Sequence, residues 1–279
     1  MKSSVVERVA NGINPCAEPA SFIAGAEPVS LDGGRRGVLL LHGFGDTTQS
    51  VRGLALALHA RGWTVRAPAL TGHGTTLDLF TRARAVQWLA DGRTSLHQLR
   101  ARCESVAIIG QSMGGALATI LAAEEEIDAL VLLVPFMKLS PRATALAAFH
   151  RIVALVKPLL RSKSEYSILD PVARSQALGK GVATPRLLRE LSVVVSQARQ
   201  AARQVTAPTL VIHSRRDLRI AVRDAERAYA ALGAAEKQLE WVEHSGHVIS
   251  VDHDREEVTS RTIAWLEAHV PSPEAGPSA

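Results

Sequence analysis

"IIGQSMGGALATIL", residues 108–121, holds a hydroxyl between glycines at the point where one kind of periodicity gives way to another. An apolar run ends at Gly110, Ser112 follows two residues later, and then come Met113, Gly114, Gly115 and an alanine-rich stretch. Gly110-Gln111-Ser112-Met113-Gly114 reads G-x-S-x-G. At a tight strand-to-helix turn such a serine lifts its Oγ above the carboxyl edge of the sheet. The turn is strained, and the residues two before and two after must be small for strand and helix to approach. A helix starting at Met113 aims free N–H groups and its positive dipole end at the same point. Those are the conditions for holding an oxyanion. The bare pattern is short, and an ordinary βα turn with a capping serine also fits it; the strand before and the helix after give it weight.

Outward from this turn, short apolar runs alternate with helical patterns. Strands are expected at 37–43, 64–70, 105–110, 129–135, 209–214 and 237–243. Helices are expected at 50–62, 85–103, 113–126, near 221–232 and at 255–269. This alternation implies βαβ units, an α/β fold with a mostly parallel sheet covered on both faces, and continuous Val/Leu/Ile runs suit strands buried on both sides. Residues 136–206 break the rhythm. There Leu146, Phe149, Ile152, Val153, Val156, Leu159 and Leu160 form one stripe of an amphipathic helix, with a kink expected before Pro158. A second helix is expected behind Thr184 as N-cap and Pro185 as first residue. The expected organisation is a core of 1–135 and 207–270, a helical insertion at 136–206 and a fraying tail at 271–279.

A serine hydroxyl needs a base, and the base an orienting acid, taken from later loops in the order Ser, Asp/Glu, His. His247 stands in a loop between the sixth strand and the last helix, with His244 as the alternative. Asp217 lies just past the fifth strand, at the carboxyl edge where functional groups of open α/β sheets collect. Asp224 and Asp252 are its rivals. The oxyanion donors expected are the amide of Met113 and that of Phe44 in "LLHGFGD" (40–46). His42 and His73 are read as packing beneath or beside the site, and His213 as a packed strand residue.

The chain thus resembles the α/β-hydrolase superfamily, and within it small bacterial carboxylesterases and monoacylglycerol lipases. The resemblance rests on "LLLHGFG", "APALTGHGTT", "IIGQSMGG", "SRRD" and "HSGHVISVDHDREEV" and covers residues 36–135 and 207–270. It puts the family's serine on Ser112, its acid on Asp217, its histidine on His247 and its oxyanion amides on Phe44 and Met113. It puts a cap over the site at 136–206. It implies hydrolysis of carboxylic esters through an acyl-enzyme, with no cofactor and no metal. A Val-x-Pro-like segment often follows the family's acid, whereas here "LRIAVRD" follows Asp217. A thioesterase or C–C bond hydrolase would use the same triad, and a ligand-binding protein on the same fold would need none of it. A haloalkane dehalogenase would need a carboxylate at Ser112.

Bulk composition narrows the field further. Apolar residues are 47% and charged residues 21% of 279, as in ordinary soluble domains. Two distant cysteines, Cys16 and Cys103, exclude a disulfide framework and suit a reducing, cytoplasmic setting. The first 20 residues lack the continuous apolar core of a secretory signal, and no apolar run is long enough to span a bilayer. Of the net charge of +5, segment 136–206 carries 12 Lys/Arg against 3 Asp/Glu, and the remainder carries 20 against 24. A basic segment on an acidic body, with few aromatics, argues against nucleic acid. It leaves a solvated cationic face, or weak contact with anionic lipid surfaces, as readings. The expected partner is a small ester with an apolar acyl chain.

Overall fold

The computed structural model describes residues 21–161, 167–179 and 181–271. Its apolar runs lie side by side in one seven-stranded sheet: β1 (Val29–Leu31), β2 (Arg36–Leu41), β3 (Thr64–Ala67), β4 (Ser105–Gln111), β5 (Ala129–Leu133), β8 (Thr209–Ser214) and β9 (Lys237–Val242). A separate antiparallel ribbon pairs β6 (Leu160–Arg161) with β7 (Val182–Ala183). The order across the sheet is β1-β3-β2-β4-β5-β8-β9. Only β1 runs antiparallel to its neighbour; the other pairings are parallel.

Every residue of β4 and β5 is buried, because helices cover both faces of the sheet. The pleat sorts their side chains by period two. Leu39, Leu41 and Ile108 pack on the face covered by α3 (Ala85–Arg100), α4 (Met113–Glu124) and α8 (Pro185–Ala201). Val38, Leu40 and Ile109 pack on the opposite face, under α1 (Gln49–His59) and α10 (Arg255–His269). Each such side chain contributes on the order of 2 kcal/mol by leaving water. Helix α4 is buried from Met113 through Ala122, which explains why its sequence is apolar all round.

Three local expectations shift. β3 ends at Ala67, three residues early, because Pro68 cannot donate to a ladder. The edge strand β1 and the short helix α2 (Leu77–Arg82) were not read from sequence. β1 has only three residues, too few to show alternation.

Between β5 and β8 lie α5 (Pro141–Ala148), α6 (His150–Val156), α7 (Pro171–Gln176) and α8. Thr184 caps α8 by accepting the Leu187 amide, and Pro185 opens it, as expected. The single kinked helix expected over the apolar stripe is instead two helices, broken at Phe149 (φ −97°, ψ 24°). α6 stops before Lys157, whose neighbour Pro158 disfavours a helical residue ahead of it. The break removes the common face. Leu146, Val153 and Leu160 are half-buried, while Phe149, Ile152, Leu155 and Val156 are 62–85% exposed. Helix α9 (Val222–Ala231) follows β8. The readings made on residues 1–20 and on the tail after Pro271 lie outside the described residues.

Candidate active site

The turn at Ser112 is built by exclusion. Strand β4 must cross close under α4, so a methyl on Gly110 would stand 2.2 Å from the Gly114 carbonyl oxygen. One on Gly114 would stand 2.0 Å from the Leu41 carbonyl oxygen. No side chain fits either place. Ser112 itself holds φ 55° and ψ −116°, a conformation costly for an L-residue. Its backbone is gripped from β5: its N–H donates to Leu133 O at 2.9 Å, and its carbonyl accepts from Phe136 N–H at 3.0 Å. Val134, between those two partners, also carries a positive φ of 45°.

This grip aims Ser112 Oγ at His247. The Oγ lies 2.8 Å from His247 Nε2, and His247 Nδ1 lies 2.8 Å from Asp217 Oδ2. With Nδ1–H donating to the carboxylate, Nε2 is left to accept the serine proton. His247 is 8% exposed and Asp217 and Ser112 9% each, so the chain of bonds is largely shielded from water. Asp217 Oδ1 accepts the Arg219 and Ile220 amides at 2.7 and 3.0 Å. Burial pushes the pKa of Asp217 up, but the charge and hydrogen bond of His247, the nearby His213 and the Ile220 amide outweigh it. The carboxyl is held below its ordinary range and stays ionised at neutral pH.

His213 is packed, as expected, edge-on to Trp241. It also stands 3.6 Å from Asp217 Oδ2, the oxygen bonded to His247, and its Nε2–H donates to Ile220 O at 3.1 Å. Burial holds it below the usual imidazole range, so it backs the carboxylate as a neutral dipole.

The loop after β2 runs beside the serine: a methyl at Gly43 would lie 3.3 Å from Ser112 Cβ. Phe44 is half-buried and Met113 fully buried. Among the described residues, neither amide donates to a protein acceptor, which leaves both available. His42 supports the loop from below, with Nδ1–H donating to Gly43 O at 3.0 Å and Nε2 accepting the Leu70 amide at 3.2 Å. Complete burial pushes it down to about 4. His73 is buried with it, its ring 5.0 Å from that of His42 and 4.8 Å from that of Phe80. Burial and the neighbouring His42 hold it well below its usual range. Both histidines are scaffold, as read.

The rivals are elsewhere. Asp224 pairs with Lys138 at 2.8 Å, and His244 is exposed. Asp252 is wholly buried among backbone amides. Gln111, read only as a spacer in the turn, joins it to the histidine loop: its Oε1 accepts the Ser250 hydroxyl at 2.6 Å. Asp254 was missed as well; its Oδ2 accepts the His244 and Ser245 amides at 2.9 and 2.7 Å. The only local signal was a pair of acids ahead of a helix, which also suits a plain N-cap. Among the described residues no cluster of His, Cys, Asp or Glu could hold a metal ion.

Comparison with known proteins places the fold and the class of enzyme. The chain is 27% identical over 255 residues to a thermostable monoacylglycerol lipase of Bacillus sp. (strain H-257), covering 91% of this chain and 99% of that one. It is 28% identical over 243 residues to a carboxylesterase of Bacillus subtilis (strain 168), covering 86% and 96%. A solved structure from work on LipS and LipT, two metagenome-derived lipolytic enzymes, superposes with a TM-score of 0.83 at 32% identity, covering 89% of this chain and 100% of that one. The model of the family described as serine aminopeptidase, S33, matches residues 34–254. With a parallel sheet, a serine at the strand–helix elbow and that match over most of its length, the chain belongs to the serine aminopeptidase S33 family and is a serine hydrolase of the α/β-hydrolase fold.

Proposed function

We propose that the protein hydrolyses carboxylic esters with an apolar acyl chain, monoacylglycerols among them, through Ser112, His247 and Asp217. The observation that carries this reading is the continuous bonding from Ser112 Oγ to His247 to Asp217, 2.8 Å at each step. His247 takes the Ser112 proton as Oγ attacks the acyl carbon. The amides of Phe44 and Met113 stabilise the negative oxygen of the tetrahedral intermediate. His247 then protonates the leaving alcohol, and activates the water that releases the acid from the acyl-enzyme. Asp217 orients the ring and stabilises the imidazolium. Gly110, Gln111 and Gly114 hold the turn. The helices of 136–206 serve as a cap shaping the acyl pocket. The exposed apolar side chains of α5–α6, interspersed with Arg142, Arg151 and Lys157, make weak contact with anionic lipid. No helix of the described residues is long and apolar enough to cross a membrane. A cytoplasmic location suits the free thiol of buried Cys103.

The test is turnover of p-nitrophenyl esters from acetate to palmitate and of a monoacylglycerol, with Ser112→Ala alongside. Turnover that peaks at one chain length and falls at least about 1,000-fold in the variant supports the reading. A wild type inactive on every ester but labelled at Ser112 by a fluorophosphonate points to thioesters or C–C bonds instead. No labelling removes the triad.

A further inference from the structure

The segment 167–170, where the chain re-emerges from the helical insertion, is knitted to both loops that deliver the acid and the base. Val248 N–H donates to Ser167 O at 2.8 Å, one residue past His247. Gly246, one residue before it, lies so close that an added methyl would meet Ser167 O at 3.0 Å. Arg219 Nε–H donates to Ser167 Oγ at 3.0 Å, and the Arg219 amide in turn binds Asp217. The centre of this knot is Asp252, whose side chain is fully buried. Its Oδ2 accepts Gly246 N–H and Leu169 N–H, both at 2.7 Å. Its Oδ1 accepts Asp170 N–H at 2.7 Å and His253 N–H at 2.9 Å. The Gly246 amide is buried and those of Leu169 and Asp170 face it, so the carboxylate satisfies donors from both segments where they meet.

We propose that Asp252 is a positioning residue for His247: one buried carboxylate ties the amide next to the base to the root of the insertion, so that the segment shaping the substrate pocket also sets the Ser112–His247 distance. The inference rests on the triad reading above. General-base catalysis tolerates little displacement, and a shift of 1 Å costs about 100-fold. A cut at Asp252 therefore lowers the chemical step rather than substrate binding. Asp254, on the same loop, spends its carboxylate on the His244 and Ser245 amides and, among the described residues, makes no bond to 167–170.

The experiment is Asp252→Asn. It keeps the shape but turns one acceptor into a donor facing two N–H groups. Active sites are counted by exhaustive fluorophosphonate labelling, at a temperature well below the variant's Tm. The expected result is kcat per labelled site down about 10- to 100-fold, with KM within about twofold and the labelling rate slowed in parallel. A lower Tm with unchanged kcat per site and unchanged labelling rate overturns the proposal and leaves Asp252 a stabiliser. If the variant does not accumulate folded, Asp170→Pro replaces it. At φ −62° proline fits there and removes the N–H bond to Asp252 together with the carboxylate that caps α7 and pairs with Arg255, while Asp170→Ala removes the same carboxylate and keeps the N–H. A slower labelling rate in the proline variant alone supports the tie, and equal rates overturn it. Because labelling needs no ester, a wild type that labels but turns over no ester sinks the ester reading without deciding this one.

Discussion

Asp217 uses both carboxylate oxygens, one for His247 and one for its own loop, and that division keeps the base in line. His42 and His73, beneath the loop after β2, act oppositely: they serve only while neutral. The folded value of His42, about 4, lies below the ordinary 6.5, so below pH 6.5 the unfolded chain takes up a proton that the folded chain refuses. Stability from this group is complete above about pH 6.5 and falls as pH drops toward 4, by about 3 kcal/mol in all. His73 adds to the loss in the same direction. Urea midpoints measured from pH 7.5 to 4.5 are expected to fall steeply in the wild type and less steeply in His42→Gln. Ser112, Asp217 and His247, which the structure brings together, were legible because each lies in a loop or turn after a strand of the sheet, beside its own local signal. The part played by Asp252 was not, since two of its donors lie 82 and 83 residues away. Sequence showed it as a rival acid, and only the fold shows that its oxygens are already occupied.

Among the elements, those buried on both sides were legible from apolar runs alone. β4, β5 and α4 are apolar throughout because they have no solvent face. Short edge pieces such as β1 and α2 carry too few residues for periodicity, and the stripe over α5–α6 misled because a helix break undoes its phase. At the elbow the packing is unforgiving. Gly114→Ala would drive a methyl to within 2.0 Å of a backbone oxygen. It is expected to destabilise the fold by about 3 kcal/mol or more, or to abolish soluble protein, as read by thermal unfolding. By contrast, Leu155→Ser with Val156→Ser, both 85% exposed, is expected to leave Tm unchanged. It is expected to weaken binding to vesicles of anionic lipid, as read by co-sedimentation.

Over the whole molecule the charge is split: +9 on 136–206, from 12 basic and 3 acidic residues, and −4 on the rest, from 20 and 24. The lipid contact proposed above is in part electrostatic, so added salt is expected to weaken it. Hydrolysis of a monoacylglycerol dispersed in anionic vesicles is expected to slow as NaCl rises from about 0.05 to 0.5 M, while turnover of a soluble short-chain ester holds constant. The backbone at Ser112 has a consequence of another kind. Its φ of 55° with ψ of −116° belongs to glycine, and the reaction requires a side chain there. Ser112→Gly and Ser112→Ala are both expected to be inactive, yet the glycine variant is expected to melt higher, by about 1 kcal/mol after its greater freedom when unfolded is allowed for. Selection for heat resistance alone would then favour loss of the proposed nucleophile, and a screen for stability needs an activity gate to keep the hydroxyl.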